Sequence, residues 1–234
     1  MSASLPTLSI IMPVLNEAGG IEAALRALAP YRARGVEVVV VDGGSADATP
    51  QIAHAFADRA ITAPRGRASQ MNAGAGVARG DVLLFLHADT HLPENADRLV
   101  HDGLAQSKRA WGRFDIRIAG GGLLKVVAQM MNLRSRATGI ATGDQAMFVT
   151  REAFLRAGGF PAIALMEDIA LSVRLKRQSL PLCLHARVTT SGRRWRQNGM
   201  LRTILLMWRL RLSYFLGADP QHLARDYGYL PNER

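Results

Sequence analysis

Apolar runs and segments of helical periodicity alternate along the first half of the chain. Continuous apolar runs, typical of strands buried on both faces, occur in LSIIMPV, VEVVVVD, AITA and DVLLFLHAD. Helical spacing of apolar residues occurs between and after these runs, at 21–28, 48–56, 68–78 and 94–104. This alternation predicts an α/β fold with a mostly parallel central sheet, right-handed crossovers and flanking helices.

The alternation is less regular after Gly103. Strand patterns recur in RAWGRFDIRIA and AMFVT, and helical patterns in LLKVVAQMMNLRSR, in the segment from Glu152 to Gly158 and in EDIALSVRLKR. With 234 residues, of which 48% are hydrophobic, the chain is long enough to bury one full core. We therefore expect a single domain over 1–234.

Cysteine usage and the apolar segments limit the class of protein. The single cysteine, Cys183, excludes an internal disulfide framework and a cysteine-based zinc cluster, and it favours a reducing compartment. The N-terminal segment lacks a basic start and a small-residue cleavage site, and no run reaches the roughly 18 apolar residues that cross a bilayer. These features predict a cytoplasmic protein.

Positive charge is concentrated in the second half of the chain. The formal net charge is +10, yet residues 1–100 carry more acids than bases, and no acid occurs between Ile169 and Ala218. A basic field of this kind attracts anions, and diphosphates, nucleic acid and acidic lipid all fit it.

Acidic residues stand where the predicted strands end. Glu17, Asp42 and Asp89 follow the first, second and fourth strands, and Arg65 and Arg67 follow the third. The carboxyl ends of strands in open α/β sheets form ligand sites, so we expect these side chains along one edge. Carboxylates there can accept from a base or ribose and can hold a hard cation against phosphate oxygens, whose charge the arginines can neutralise.

Four other nucleotide or nucleic-acid hypotheses fit less well. The stretch GAGVARG at 74–80 has its third glycine displaced by one and precedes a strand, unlike a dinucleotide fingerprint, and no P-loop motif occurs. A sugar-nucleotide-forming nucleotidyltransferase should have a glycine-rich basic signature after the first strand, where PVLNEAGG is acidic. A nucleic-acid-binding module would explain the charge, but aromatic residues do not interleave the arginines.

Six segments in order carry a resemblance to a known family. They are PVLNE, VVDGGSADAT, GRASQMNAGAGVARGDVLLFLHADT, GDQAMFVTREAFLRAGGF, MEDIALSVRLKR and SGRRW. With this spacing the chain resembles the family 2 glycosyltransferases, and among them the small arsenosugar-biosynthesis-type subgroup. The resemblance implies a nucleotide-diphospho-sugar transferase fold of the A-type glycosyltransferases. It also implies a nucleotide-binding half at 1–103 and an acceptor and catalytic half at 104–234 with a C-terminal helical segment.

The resemblance also implies residue roles. Asp42 would accept a hydrogen bond from uracil, Asp89 would hold Mg²⁺ or Mn²⁺, and Asp168 would be the general base. Local alternatives are that Asp42 forms a turn, that Asp89 caps a turn and that Glu167-Asp168 only begins a helix. The implied nucleotide-sugar site comprises Pro13, Leu15, Glu17, Asp42, Arg65, Arg67, Asn72 and Ala88, and the implied acceptor and diphosphate site comprises Asp144, Gln145, Glu167, Arg194 and Trp195.

The function implied by the resemblance is inverting transfer of a sugar from a UDP-sugar to a small or lipid-linked acceptor, with no nucleic-acid partner. The sequence His87-Ala88-Asp89 has an imidazole where many relatives have a second acid, which would favour Mn²⁺ over Mg²⁺ if the imidazole bound the ion. Hydrogen-bonded structural roles are the alternative for His87 and His185. Ser191 before Arg194, where processive relatives have glutamine, argues against polymer synthesis.

The tail MLRTILLMWRLRLSYFLG has an apolar face at helical spacing, flanked by Arg202, Arg209 and Arg211. This face predicts packing onto the sheet or onto a second copy of the chain, or a peripheral contact with the inner face of a membrane. Its apolar residues are Leu201, Ile204, Leu205, Trp208, Leu212 and Phe215.

Overall fold

The computed structural model describes residues 7–193 and 199–228. Its strands are β1 (Leu8–Val14), β2 (Glu37–Asp42), β3 (Arg59–Thr62), β4 (Val82–Phe85), β5 (Thr90–His91), β6 (Trp111–Ile118), β7 (Phe148–Thr150) and β8 (Leu182–Thr190). Its helices are α1 (Ile21–Ala27), α2 (Ala29–Arg32), α3 (Thr49–Phe56), α4 (Arg67–Val77), α5 (Ala96–Ser107), α6 (Leu123–Thr138), α7 (Arg151–Arg156), α8 (Glu167–Lys176), α9 (Met200–Phe215) and α10 (Pro220–Asp226). A 3₁₀ turn covers Gly143–Gln145.

The eight described strands form one sheet in the order β3-β2-β1-β4-β7-β6-β8-β5. Strands β1 to β4 are parallel, β7 is antiparallel to both of its neighbours, β8 is parallel to β6, and β5 is antiparallel to β8. The α/β prediction is confirmed. Parallel pairing dominates the first half, and the sheet becomes mixed where the sequence pattern loses its regularity.

The continuous apolar runs reflect burial of the sheet on both faces. Ile10, aligned with Val38 and Leu84, packs into one core, and the next residue, Ile11, aligned with Val39, packs into the other. Because side chains alternate between the two faces of the sheet, both the odd-numbered and the even-numbered residues of these strands have to be apolar.

Strand β4 is shorter than predicted, and strand β8 was not predicted. Strand β4 ends at Phe85, and Asp89 lies four residues later in a turn closed by the Thr90 amide, which donates to the His87 carbonyl oxygen at 3.0 Å. Strand β8 was not predicted, although it alternates with a period of two: from Leu184 to Thr190 the even-numbered residues are more buried than the odd-numbered residues between them. Its pairing with β6 also contains an irregularity between Phe114 and Asp115.

A buried ionic network attaches α6 to β6. Arg113 is fully buried and donates to the Asp115 carboxylate and, from Nε at 3.0 Å, to Ser135 Oγ. Arg136 donates to the other Asp115 oxygen at 2.7 Å. A buried charge is tolerated when its hydrogen bonds are met, so this network fixes the position of α6 on the sheet.

The C-terminal helices pack against each other and against α8. Helix α9 buries Leu210 in a small cluster with Ile169 and with Leu223 of α10. In the described part of the predicted apolar face, Ile204 is half-buried and the other residues are exposed, Trp208 by 66%. This part of the face therefore does not pack onto the sheet, and its contact with a second copy or with a membrane stays a prediction. Within 7–193 and 199–228, no helix has the length and apolar character needed to cross a membrane.

Helix α4 lies close against the sheet because its sequence is rich in small residues. A Cβ atom added to Gly74 would lie 2.5 Å from Ile11 Cγ2 and 2.9 Å from Val41 Cγ2. One turn earlier, the buried Gln70 Nε2 donates at 2.8 Å to the carbonyl oxygens of Val14 and Val41. The glycine therefore serves helix-sheet packing, and Gln70 fixes the start of α4 to the ends of β1 and β2.

Two alanine substitutions in α4 should have opposite effects. Gly74→Ala should destabilise the protein by about 1–3 kcal/mol, because the added methyl group overpacks the contact with β1 and β2. Gly76→Ala should stabilise it by about 0.5–1 kcal/mol, because nothing lies within 4 Å of the added carbon and alanine favours helix. Urea denaturation of both variants measures the difference, and equal effects would contradict the close packing of Gly74.

Candidate active site

A cavity of about 710 Å³ opens at the carboxyl ends of β1 and β4. Its walls come from the loop after β1, the turn after β4, the 3₁₀ turn, the N-termini of α4 and α8, and helices α6 and α9. The predicted site residues that line it are Pro13, Leu15, Glu17, Arg67, Ala88, Asp89, Asp144, Glu167 and Asp168.

The other predicted site residues do not line the cavity, or cannot be placed. Arg65 is exposed outside it, and Asp42, Asn72 and Gln145 make structural hydrogen bonds. Arg194 and Trp195 lie outside the described residues.

Asp42 organises a turn. Its Oδ2 accepts from the amides of Gly44 and Ser45, both at 2.9 Å, and its Oδ1 accepts from the Ser45 hydroxyl. Ser45 Oγ in turn accepts from the Asn16 amide at 2.8 Å. Asp42 therefore holds the loop after β1 in position, and its predicted contact with uracil stays a prediction.

Asn72 and Gln145 correct the sequence-based site. Asn72 donates to the Phe160 carbonyl oxygen at 2.8 Å and accepts from the Phe160 amide at 2.9 Å, which ties α4 to the loop after α7. Gln145 Oε1 accepts from the Thr142 amide at 3.2 Å within the capping box of the 3₁₀ turn. Both side chains support walls of the cavity and do not face into it.

Glu17 and Asp89 form one acidic group of the cavity. Burial raises the pKa of Glu17, Arg193 opposes this rise, and the nearby Asp89 adds to it. The Asp89 side chain is exposed, and its one described hydrogen bond is a long one of 3.4 Å from Thr90 Oγ1. Its carboxylate is therefore available to a ligand.

A divalent cation could bind at this end of the cavity only if a bound diphosphate supplied some of its ligands. Among the described residues, no group of three or more His, Cys, Asp or Glu side chains could hold a metal ion. Asp89 offers one hard carboxylate, so the remaining ligands would have to be diphosphate oxygens and water. His87 does not join Asp89: its Nδ1 lies 3.4 Å from Asp144 Oδ1.

The second acidic group surrounds the start of α8. Asp168 Oδ2 accepts from the Gly143 amide at 2.7 Å, and its Oδ1 accepts from the Ile169 amide at 2.7 Å. Each oxygen accepts one described backbone donor, which leaves a second lone pair on each. A Cβ atom on Gly143 would lie 2.7 Å from the His87 ring, so only glycine brings the 3₁₀ turn this close to both side chains.

Glu167 and Asp144 have opposite pKa shifts. Burial and the adjacent Asp168 raise the pKa of Glu167 to about 7, against the smaller opposing effect of Arg67. Burial also raises the pKa of Asp144, but His87, Arg67 and Arg211 outweigh it and hold this pKa below the ordinary value. Near neutral pH, therefore, Glu167 binds a proton part of the time, while Asp144 stays ionised.

Backbone strain is concentrated around the cavity. Asn16, Ala146 and Met166 have φ angles of 53°, 45° and 71°. These residues flank Glu17, the 3₁₀ turn and Glu167, respectively. Non-glycine residues in the left-handed region cost free energy and persist where the surroundings enforce them, which is common at functional sites.

Arg134 and Arg211 line the cavity, and neither was among the predicted site residues. Arg134 follows Val127 and Met130 at helical spacing on α6, and Arg211 follows Ile204 and Met207 on α9. An arginine that continues the apolar face of a helix is the signal that could have identified both. Arg211 is one of the three arginines that were predicted to flank the apolar face of the C-terminal tail, and it lines the cavity.

The fold and the strand-end site agree with the comparison to known families. Residues 9–156 match the model described as glycosyl transferase family 2, and the chain belongs to this family. A PGL/p-HBAD biosynthesis glycosyltransferase of Mycobacterium bovis is 43% identical over 101 residues, which are 40% of this chain and 39% of that relative. The probable glycosyltransferase YdaM of Bacillus subtilis is 27% identical over 238 residues, which are 91% of this chain and 55% of that relative. The matches thus span about half or less of these curated relatives.

Solved structures show the same fold. S. aureus TarS 1-349 in complex with UDP-GlcNAc has a TM-score of 0.66 and 19% identity over 79% of this chain and 58% of that one. The mannosyltransferase PcManGT from Pyrobaculum calidifontis, in complex with GDP-Man and Mn²⁺, has a TM-score of 0.64 and 22% identity over 95% of this chain and 63% of that one. The predicted A-type glycosyltransferase fold is confirmed.

The raised pKa of Glu167 predicts a pH-dependent stability difference. A carboxyl group with a folded pKa of about 7 and an ordinary value of 4.5 favours folding fully below pH 4.5, and this contribution is lost as the pH rises through 7. Glu167→Gln should therefore be more stable than the parent at pH 8, by up to about 3 kcal/mol, and should lose this advantage toward pH 5.

Urea denaturation between pH 5 and 8 measures this difference. Glu152→Gln is the matched control, because its side chain is 78% exposed and the variant should follow the parent curve at every pH. A constant offset between Glu167→Gln and the parent would contradict the assigned shift.

Proposed function

We propose that the protein catalyses inverting transfer of a sugar from a UDP-sugar to a small or lipid-linked acceptor. The observation that carries this proposal is that Asp89 and Asp168 line the same cavity. The charge of Asp89 acts on the pKa of Glu17, so these two carboxylates are neighbours. The charge of Asp168 acts on the pKa values of Glu167 and Arg134, so Asp168 lies in a second charged group. One carboxylate is thus available for the donor and another for the acceptor.

Relatives support a nucleotide-sugar donor. TarS is described with UDP-GlcNAc, and PcManGT with GDP-Man and Mn²⁺. Family membership and these complexes favour glycosyl transfer over the nucleotidyltransferase and nucleic-acid hypotheses. The choice of uridine is part of the proposal, and the cytoplasmic location and the homodimer stay predictions.

Residues of β1 and α4 would bind the donor. Pro13 and Leu15 would pack against the base, while the turn organised by Asp42 would hold the loop that presents Glu17. Arg67, at the first position of α4, would bring positive charge and a helix N-terminus toward the diphosphate. A bound Mg²⁺ or Mn²⁺ would neutralise charge on the departing diphosphate and would be held by Asp89.

Asp168 would act as the general base. In a single displacement, an acceptor oxygen attacks the anomeric carbon, the bond from that carbon to the diphosphate oxygen breaks, and the acceptor proton passes to Asp168. The nucleoside diphosphate leaves with the bonding electrons, so the anomeric configuration inverts. The Gly143 and Ile169 amides orient the carboxylate, while the partly protonated Glu167 limits repulsion beside it.

UDP should bind more tightly with Mg²⁺ or Mn²⁺ than with chelator, because the ion shares its charge between Asp89 and the diphosphate. Asp89→Ala should abolish this difference, whereas Asp102→Ala, in an exposed position on α5, should preserve it. Calorimetric titration with UDP, with and without metal, measures both variants. Metal-independent binding by the parent protein would contradict the proposed role of Asp89.

Asp168→Asn should reduce sugar transfer by about 10²–10⁴-fold, because the amide cannot accept the proton. Affinity for the UDP-sugar should stay near the parent value, since asparagine keeps the shape of the side chain. Single-turnover transfer and UDP-sugar binding should be measured on the same preparation. An Asp168→Asn enzyme with parental turnover would exclude Asp168 as the base.

A further inference from the structure

Arg134 and Arg211 present guanidinium donors that lack partners within the described residues. Nε and Nη2 of Arg134 and Nε of Arg211 are buried, and no hydrogen-bond acceptor in 7–193 or 199–228 reaches them. Both arginines line the cavity, one from α6 and the other from α9. A buried charged donor without an acceptor is costly, so the site is incomplete without an anion.

The two arginines are close enough to repel each other. Burial, the charge of Arg211 and the charge of Arg113 lower the pKa of Arg134 to about 10, although Asp168 opposes this change. Arg113 is neutralised by Asp115, but no described carboxylate forms an ion pair with Arg134 or Arg211. An oxyanion between the two guanidinium groups would relieve the repulsion and accept the free N–H donors.

This positive pair belongs to the acceptor side of the cavity. Asp168 is the carboxylate that affects the pKa of Arg134, whereas Arg193 and Asp89 are the first two charged groups that affect Glu17. The base and the two arginines thus surround the same space. An anion bound there would lie beside Asp168, and therefore beside the attacking oxygen.

The same two helices form an apolar path from the cavity to the surface. Val126 and Met130 of α6, and Trp208 of α9, line the cavity and are also 49%, 56% and 66% exposed. Leu133 on α6 and Leu212 on α9 extend this apolar surface outside the cavity. A ligand with an anionic group between the arginines could therefore extend an apolar portion between α6 and α9.

We infer that the acceptor is an amphiphile, with a phosphate or carboxylate group bound by Arg134 and Arg211 and an apolar portion held between α6 and α9. This inference rests on the proposed function, which supplies the donor and the base. It narrows the acceptor from a small or lipid-linked molecule to one that carries both chemical features. The two arginines inside the cavity attract the anionic group, and the apolar side chains of α6 and α9 toward the surface contact the apolar portion.

Octyl phosphate and octanoate test the inference without knowledge of the natural acceptor. Calorimetric titrations would use protein saturated with UDP and Mn²⁺, with inorganic phosphate and the uncharged octyl glucoside as comparison probes. At least one of the two charged amphiphiles should bind at least tenfold more tightly than either comparison probe. The tighter of the two identifies phosphate or carboxylate as the preferred oxyanion.

Arg134→Gln and Arg211→Gln should each weaken binding of the charged amphiphile by about tenfold to a hundredfold, as expected for a lost hydrogen bond to a charged group. The matched controls are Lys125→Gln on α6 and Arg209→Gln on α9, which lose the same charge at exposed positions outside the cavity. Both controls should bind within twofold of the parent.

Three results would overturn the inference. They are equal affinity for octyl glucoside and the charged amphiphiles, unchanged amphiphile binding by both arginine variants, and weakened UDP binding in place of weakened amphiphile binding. Thermal unfolding checks that each variant is folded, and Arg134→Lys, which keeps the charge, should restore part of the affinity if Arg134→Gln is unstable. UDP binding by the parent protein is measured separately, so failure of the donor site is distinguished from failure of the oxyanion site.

Discussion

The hydrogen bonds from Gln70 to the Val14 and Val41 carbonyl oxygens place the start of α4 at the edge of the sheet where the cavity opens. One buried carboxamide donates to both oxygens at 2.8 Å, and the Val14 oxygen also accepts from the Gly43 amide at 2.9 Å. Leaving a buried polar group of this kind without its partner would cost about 1–3 kcal/mol. Because Gln70 lies one turn after Arg67, the same bonds place the first residue of α4, and its charge, at the sheet edge.

The loops beyond these strand ends are held together by side chains that never reach the cavity. Asp42 orders Ser45, Ser45 accepts from Asn16, and the Thr49 hydroxyl accepts from the Glu17 amide at 2.8 Å. This chain of contacts imposes the positive φ of Asn16, which turns Glu17 toward Asp89. Residues that support the site are therefore as necessary as residues that line it.

The sequence allowed prediction of the parts of the site that depend on strand order. Parallel strands bring their carboxyl ends to one edge, so Glu17 and Asp89 could be placed together, and the family resemblance added Asp168. Asn72 and Gln145 were misassigned because their backbone partners, Phe160 and Thr142, are set by tertiary structure. Strand β8 was missed although its burial alternates with a period of two, because most of its inward-facing residues are only half-buried and polar residues separate them. Arg134 and Arg211 were not assigned to the site because each charge continues an apolar helix face.

Gly143 contacts both the segment that carries Asp89 and the helix that carries Asp168. Its amide holds Asp168, and its Cα lies against the His87 ring, which belongs to the segment that carries Asp89. The absence of a side chain makes this double contact possible. Because close-packed contacts are hard to compress, a movement on one side of Gly143 would be passed to the other side. The segment that presents Asp89 and the carboxylate that would accept the proton therefore share one mechanical support, so their relative position is fixed before either substrate arrives.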